Sequence, residues 1–216
     1  MPTVTDGQPS AGQNSAGRRV SPEAGLYDKF ILPGQRAPKL TGKNKVAMGF
    51  RDAVTPVSAL GWFAAGTYAE ITDGPPNYQA GGKAYIERIG AAAARGVSQE
   101  VFSTALFSTL LHEDPRYYKR GKSHKATYRV LYAASRTFVT RTDGGRPTLN
   151  LARLLGNLGG TSLTQAYYPS QNRGFDDLAR TYGESLAGTS LSLVFDEFLS
   201  DALAVMHLQK LQFVQQ

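Results

Sequence analysis

At 216 residues, with 41% hydrophobic and 19% charged positions, the chain has material for one folded domain with its own core. It contains no cysteine, which excludes a disulfide scaffold, a cysteine nucleophile, a thiolate zinc site and an iron–sulfur cluster. Its net charge of +7 is concentrated between Arg116 and Arg153, where ten basic residues face the single acid Asp143 and the rest of the chain is slightly acidic.

In chain order, residues 1–42 are rich in Gly, Pro, Ser, Gln and Thr without a sustained period, and are expected to form a flexible arm. Within it only "AGLYDKFILP" could dock, through Leu26, Phe30 and Ile31. The opening "MPTVTDGQPSAGQNSAGRRV" lacks the apolar stretch of a signal peptide. From residue 43 the apolar spacing becomes helical, predicting helices over 43–54, 56–72, 82–111, 124–141, 150–166 and 175–212 in an all-α domain spanning 43–216. In the last of these, Leu191, Phe195, Phe198, Ala202 and Val205 step along one face, with Asp196, Glu197, Ser200 and Asp201 beside it. The apolar run Ala53 to Ala69 is shorter than the roughly 20 residues a membrane span needs.

A shift of 93 residues superimposes Pro76 on Pro169, Gly81 on Gly174, Gly90 on Gly183 and Phe102 on Phe195. Each segment reads as a small-residue helix, an aromatic and proline turn ("DGPPNY"; "YYPSQN") and a longer helix. A tandem helix–turn–helix duplication, with units 56–107 and 149–200, is therefore expected. Small residues recur at four-residue spacing: Gly61 with Ala65, Gly90 with Ala94, Gly156 with Gly160 and Gly183 with Ala187. On a helix these lie where another backbone can approach closely, either within the chain or between copies in a homo-oligomer.

The most chemically loaded stretch is "LLHEDPRYYKRGKSH". Pro115 and the end of the apolar run make it a helix stop, with Glu113 and Asp114 turning toward Arg116, Lys119 or Arg120. The competing reading is a hydrolase centred on His112 and Glu113. "HEDP" lacks the second histidine of a metalloprotease motif, and His112, His124 and His207 have no ligand spacing, so no metal is expected. "LLGNLGG" has no following Lys and Ser/Thr and is no phosphate loop, so no cofactor is expected. "TDGGRPTLN" reads as a turn, with Asn150 suited to cap the next helix.

The basic segment admits three destinations. Arg116, Lys119, Arg120, Lys122, Lys125, Arg129 and Arg136 could form a face for an anionic lipid surface or an acidic partner. They could also pair internally with Glu184, Asp196, Glu197 and Asp201. Arg129, Arg136 and Arg141, interleaved with Tyr128 and Tyr132, would be the phosphate-contact face of a nucleic-acid-binding module, without any base-reading motif.

"LLHEDPRYY", "RTDGGRPTLN", "LLGNLGG", "AYYPSQNRGF" and "SLVFDEF" together resemble an uncharacterised family of bacterial proteins predicted to be exported, over roughly Lys45 to Leu203. The resemblance implies a location in the cell envelope, periplasmic or membrane-associated, and an upstream signal sequence in relatives that this chain starts without. It brings no activity and no catalytic residue. The resulting expectation is a non-enzymatic envelope protein that binds a membrane surface or a partner through its basic face.

Overall fold

The computed structural model describes residues 22–79 and 81–205. About 64% of the described chain is helical and 8% is strand, so the fold is mainly helical. Helix α1 (Gly42–Ala53) starts where the Thr41 side chain accepts from the backbone N–H of Asn44. Helix α2 (Pro56–Ile71) has Pro56 in its first turn and Thr55 as its cap. Helix α3 (Gly82–Glu100) runs on without a break through a π-helical stretch, Val101–Phe107, and a closing turn, Ser108–Leu110. His112 adopts a left-handed conformation, φ 53°, and ends it.

Beyond that stop, strands β2 (Glu113–Asp114) and β3 (Tyr117–Tyr118) flank Pro115. Helix α4 covers Ala126–Ser135. A hairpin of β4 (Val139–Thr142) and β5 (Pro147–Leu149) follows, turning at Gly145 with φ 81°. Helix α5 (Leu151–Tyr167) is capped by Asn150, and α6 (Phe175–Val205) carries Asp176 and Asp177 in its first turn, where the helix dipole favours acids. The strands form a sheet of order β2-β4-β5, antiparallel throughout, and a separate parallel pair made by β3 with β1 (Phe30–Ile31).

The stretch of the arm that could dock does so through two of its three named residues: Phe30 and Ile31 pair with Tyr117 and Tyr118, Ile31 and Ala24 are buried, and Lys29 and Ile31 carbonyls accept from the N–H groups of Tyr117 and Lys119. Leu26 stays exposed. Residues 1–21 lie outside the described residues. The helix expected over 124–141 stops at Ser135, because Thr137, Val139, Thr140 and Thr142 favour extended backbone and the Gly144–Gly145 turn lets that segment pair with β5 and with β2. Residues 206–212 of the last expected helix, and His207 with them, lie outside the described residues.

Helix α2 packs along α3, while α5 crosses both α3 and its π-helical continuation; α1 lies on that continuation, and α6 lies on α4 and α5. The turn between α2 and α3 meets the turn between α5 and α6. The Asn77 N–H donates to Asn172 Oδ1 at 2.7 Å, Asn172 Nδ2 donates to Asn77 Oδ1 at 2.9 Å, and Gln171 Nε2 donates to the Asn77 carbonyl at 2.6 Å. The contacts at the helix crossings are made by small residues. A Cβ on Gly156 would lie 2.5 Å from Ser103 Cα, and one on Gly160 would lie 2.9 Å from Gln99 Cα.

The interior is unusual in what it holds. Its fully buried apolar residues are mostly alanines with Tyr117, Tyr132, Tyr168, Ile31 and Met48. Beside them lie Lys45, Asp52, Arg88, Glu113, Asp114, Arg116, Arg129, Asp196 and Glu197, with several buried Ser and Thr. Helix α6 shows the inversion most plainly: Asp196 and Glu197 point inward, whereas Leu191 and Phe195 are 71% and 59% exposed. Of the residues that step along one face in the sequence, Leu191 and Phe195 lie outward, while Phe198 is half-buried with the Arg129 guanidinium over its ring.

Candidate functional site

The basic segment divides on folding. Arg116 is buried, its Nε and Nη2 donating to the two Asp114 oxygens at 2.9 and 2.8 Å and its Nη1 to the Pro38 carbonyl at 2.8 Å. Burial alone would raise the Asp114 carboxyl, but the Arg116 fork and the Tyr118 hydroxyl bring it below its ordinary value. Arg129 is buried too. Its Nε donates to Glu197 Oε1 at 2.9 Å, its Nη1 to Asp201 Oδ2 at 2.8 Å and its Nη2 to the Glu197 carbonyl at 2.8 Å.

Glu197 is the node of this interior. Fully buried, it also accepts from the Tyr117 hydroxyl at 2.9 Å and from the backbone N–H groups of Arg120 and Gly121 at 3.1 Å each. One carboxylate on α6 therefore fixes α4 and the loop between β3 and α4. Arg120 and Arg136 lie over the Tyr132 ring, with 4.1 and 4.5 Å to its centroid, and Lys119 lies over Phe30 at 5.0 Å. Burial pushes the Lys119 amine down, against the pull of Asp196, Glu197 and Asp201. Only Lys122 and Lys125 of the seven expected surface residues are exposed, and Lys122 has Asp201 at 3.8 Å. The internal destination, to Glu197 and Asp201, claims Arg129. Arg141 lies over the Tyr118 ring at 4.4 Å.

His112 and Glu113 part company. The His112 side chain is 83% exposed, with Asp143 at 3.8 Å as its ionic neighbour. Glu113 is buried and accepts from the N–H groups of Leu151 and Ala152 at 3.2 and 3.0 Å, capping the first turn of α5. Burial raises its carboxyl more than those two donors lower it. The acid–base pair that the sequence offers is not assembled, and Glu113 reaches a helix start rather than Arg116, Lys119 or Arg120.

The small-residue stripe also divides. Gly156 and Gly160 are the close contacts already described. Among the described residues, Gly61, Gly90 and Gly183 have no atom within 4 Å of where a Cβ would stand, so the packing expected there is not formed among them. Two close approaches to the backbone of another helix were missed, Gly49 against Ala105 and Gly66 against Ile89. Gly66 lies four residues beyond Trp62 in the stretch already read as small, and that was the available signal; Gly49, alone between Met48 and Phe50, offered none.

What remains for function is the exterior. Helix α2 has no charged residue from Pro56 to Ala69, and its buried residues are Gly66 and Ala69, on the side facing α3. Its opposite stripe carries Leu60, Phe63, Tyr68 and Ile71, all exposed, Ile71 at 80%. Phe50 and Val54 at the end of α1 and Leu191 and Phe195 on α6 are exposed as well. Among the described residues no helix is long and apolar enough to cross a membrane, and none of the groupings of His, Asp and Glu could hold a metal ion. Comparison with family models, with curated proteins and with solved structures gave no match.

Proposed function

We propose that this is a non-enzymatic helical protein of the bacterial cell envelope that attaches to a membrane surface through the apolar face of α2. The envelope location rests on the sequence resemblance. The attachment rests on one observation: several charged and small polar side chains lie inside, while Leu60, Phe63 and Ile71 stand outside. A helix apolar on all sides is at rest only when each side is covered. One side of α2 has α3; the other suits acyl chains at the headgroup boundary.

Magnitudes favour apolar over electrostatic attachment. Burying a Leu, Phe or Ile side chain is worth about 1.5–3 kcal/mol, so three together outweigh two exposed lysines at about 1 kcal/mol each near an anionic surface. Lys122 and Lys125 would then add a preference for anionic lipid rather than the attachment itself.

Flotation with vesicles of phosphatidylcholine, alone or mixed with phosphatidylglycerol, tests this. The protein should float with both and stay bound at 1 M salt, where screening shortens the Debye length to about 3 Å. Replacing Leu60, Phe63 and Ile71 together by Asp should release it, and Lys122→Glu with Lys125→Glu should remove only the anionic preference. Absence of flotation, or a concentration-dependent dimer that the same three Asp substitutions dissolve, would instead give the face to a second copy of the chain.

A further inference from the structure

A cavity of about 240 Å³ opens where β1, α1, α2, α3 and α6 converge. Phe30, Val57 and Trp62 supply an apolar wall, and Asp52, Glu100, Asp196 and Lys29 line the rest. The charges are unevenly matched. Glu100 has two cations, Arg153 at 3.0 Å and Lys29 at 3.8 Å. Asp52 has Arg51 at 3.0 Å, reaching in from the solvent side. Asp196 is only 7% exposed, and among the described residues no cation lies within 4 Å of it: Lys29 and Lys119 act on it from farther off, and its hydrogen-bond partner is the Ser192 hydroxyl one turn back on α6. A buried carboxylate with no cation in contact, facing an open space, is a costly arrangement that a cation entering the space would relieve.

The space suits an organic body as well as a charge. It exceeds the roughly 150 Å³ of a cavity that admits benzene, and the Trp62 ring beside it offers the surface on which small cations and apolar rings both settle. Lys29 is in contact with Glu100 at 3.8 Å and acts on Asp196 only from beyond contact distance, which leaves room for a cation against the Asp196 carboxylate itself. We infer that this cavity binds a small organic amine, its ammonium paired with Asp196 and its apolar body against Trp62. This site is independent of the membrane-facing stripe, whose residues Phe63, Tyr68 and Ile71 do not line it.

Trp62 is the single tryptophan of the chain, so its fluorescence reports on the cavity. Cyclohexylamine, cyclohexanol and cyclohexanecarboxylate, matched in bulk and differing in charge, are the probes. A saturable change is expected with the amine, with the alcohol and the acid at least tenfold weaker. Asp196→Asn should weaken the amine tenfold or more. Gly61→Leu should abolish the response: Gly61 lines the cavity and a side chain there meets no atom within 4 Å at its Cβ, so it fills the space without a clash. Far-UV circular dichroism checks that both variants are folded; should Asp196→Asn not fold, Gly61→Leu decides. No saturable response in the parent, equal binding of the alcohol, or amine binding unchanged in a folded variant would overturn the assignment.

Discussion

Glycines of the same helical spacing separate into two groups whose substitution should move stability in opposite directions. At Gly156 an added Cβ would stand 2.5 Å from both N and Cα of Ser103, and at Gly160 it would stand 2.7 and 2.9 Å from N and Cα of Gln99. These are backbone atoms of another helix, so no side-chain rotation relieves the overlap. Carbon contacts are favourable near 3.5–4.0 Å, so α5 would have to withdraw by about 1 Å from α3. Overpacking of that kind costs about 1–3 kcal/mol, against which alanine returns about 1 kcal/mol of helix propensity.

The net expectation for Gly156→Ala or Gly160→Ala is a loss of up to about 2 kcal/mol each. At Gly90 and Gly183 the clash is missing and only the propensity remains, so alanine should stabilise by about 1 kcal/mol. Thermal melts followed by far-UV circular dichroism resolve this, since 1 kcal/mol moves the midpoint by about 2–4 °C in a chain of this size. The reasoning is refuted if all four substitutions shift the midpoint in the same direction, because the two sets would then share an environment.

Two further outcomes follow from the charged interior. Glu197→Ala leaves the Arg129 Nε, the Tyr117 hydroxyl and two backbone N–H groups without their acceptor, and should cost roughly 3–5 kcal/mol in urea unfolding; adding Arg129→Met should recover part of it, and an additive double variant would deny the pairing. Glu100 is held down to about 2 from an ordinary 4.5: burial would raise it, and Lys29, Arg153 and Thr104 more than reverse that. Its folded-state value being the lower, it contributes about 3 kcal/mol of stability above pH 4.5 that is lost as pH falls toward 2. Glu100→Gln should therefore flatten the acid side of the stability profile, and an unchanged slope there would remove the ion pairs from the account.

The helices were legible because their signal is local. Thr41, Thr55 and Asn150 cap where the sequence places starts, and the left-handed His112 before Pro115 ends the helix that "LLHEDP" was read to end. The orientation of α6 was not legible, and the reason is physical. Periodicity locates a stripe but does not say which side of the helix is inside; inferring that the apolar stripe faces inward assumes water outside. Leu191 and Phe195 follow the period and face out, while Glu197, four residues after Leu193, is fully buried by donors from Tyr117, Arg120, Gly121 and Arg129. Those donors lie 68 to 80 residues away in the chain, a separation over which spacing rules carry no information.

The close glycine contacts and the outward aliphatic residues are one arrangement rather than two. Where α5 meets α3 at Gly156 and Gly160, and α1 meets the π-helical segment at Gly49, the backbones come so near that no branched side chain fits between them. The glycines face Ser103, Gln99 and Ala105 at these crossings, Thr104, Ser108, Thr161 and Thr164 on the same helices are buried, and Ser103 and Ser108 donate their hydroxyls to carbonyls one turn back. Helices joined in this way associate through van der Waals contact and hydrogen bonds instead of aliphatic volume, as helices do when their surroundings are themselves apolar. Leucine and phenylalanine are then left for the outer faces, where water would oppose them. Anything that covers those faces in the native state but not in the unfolded chain therefore stabilises the fold in proportion to its own binding free energy.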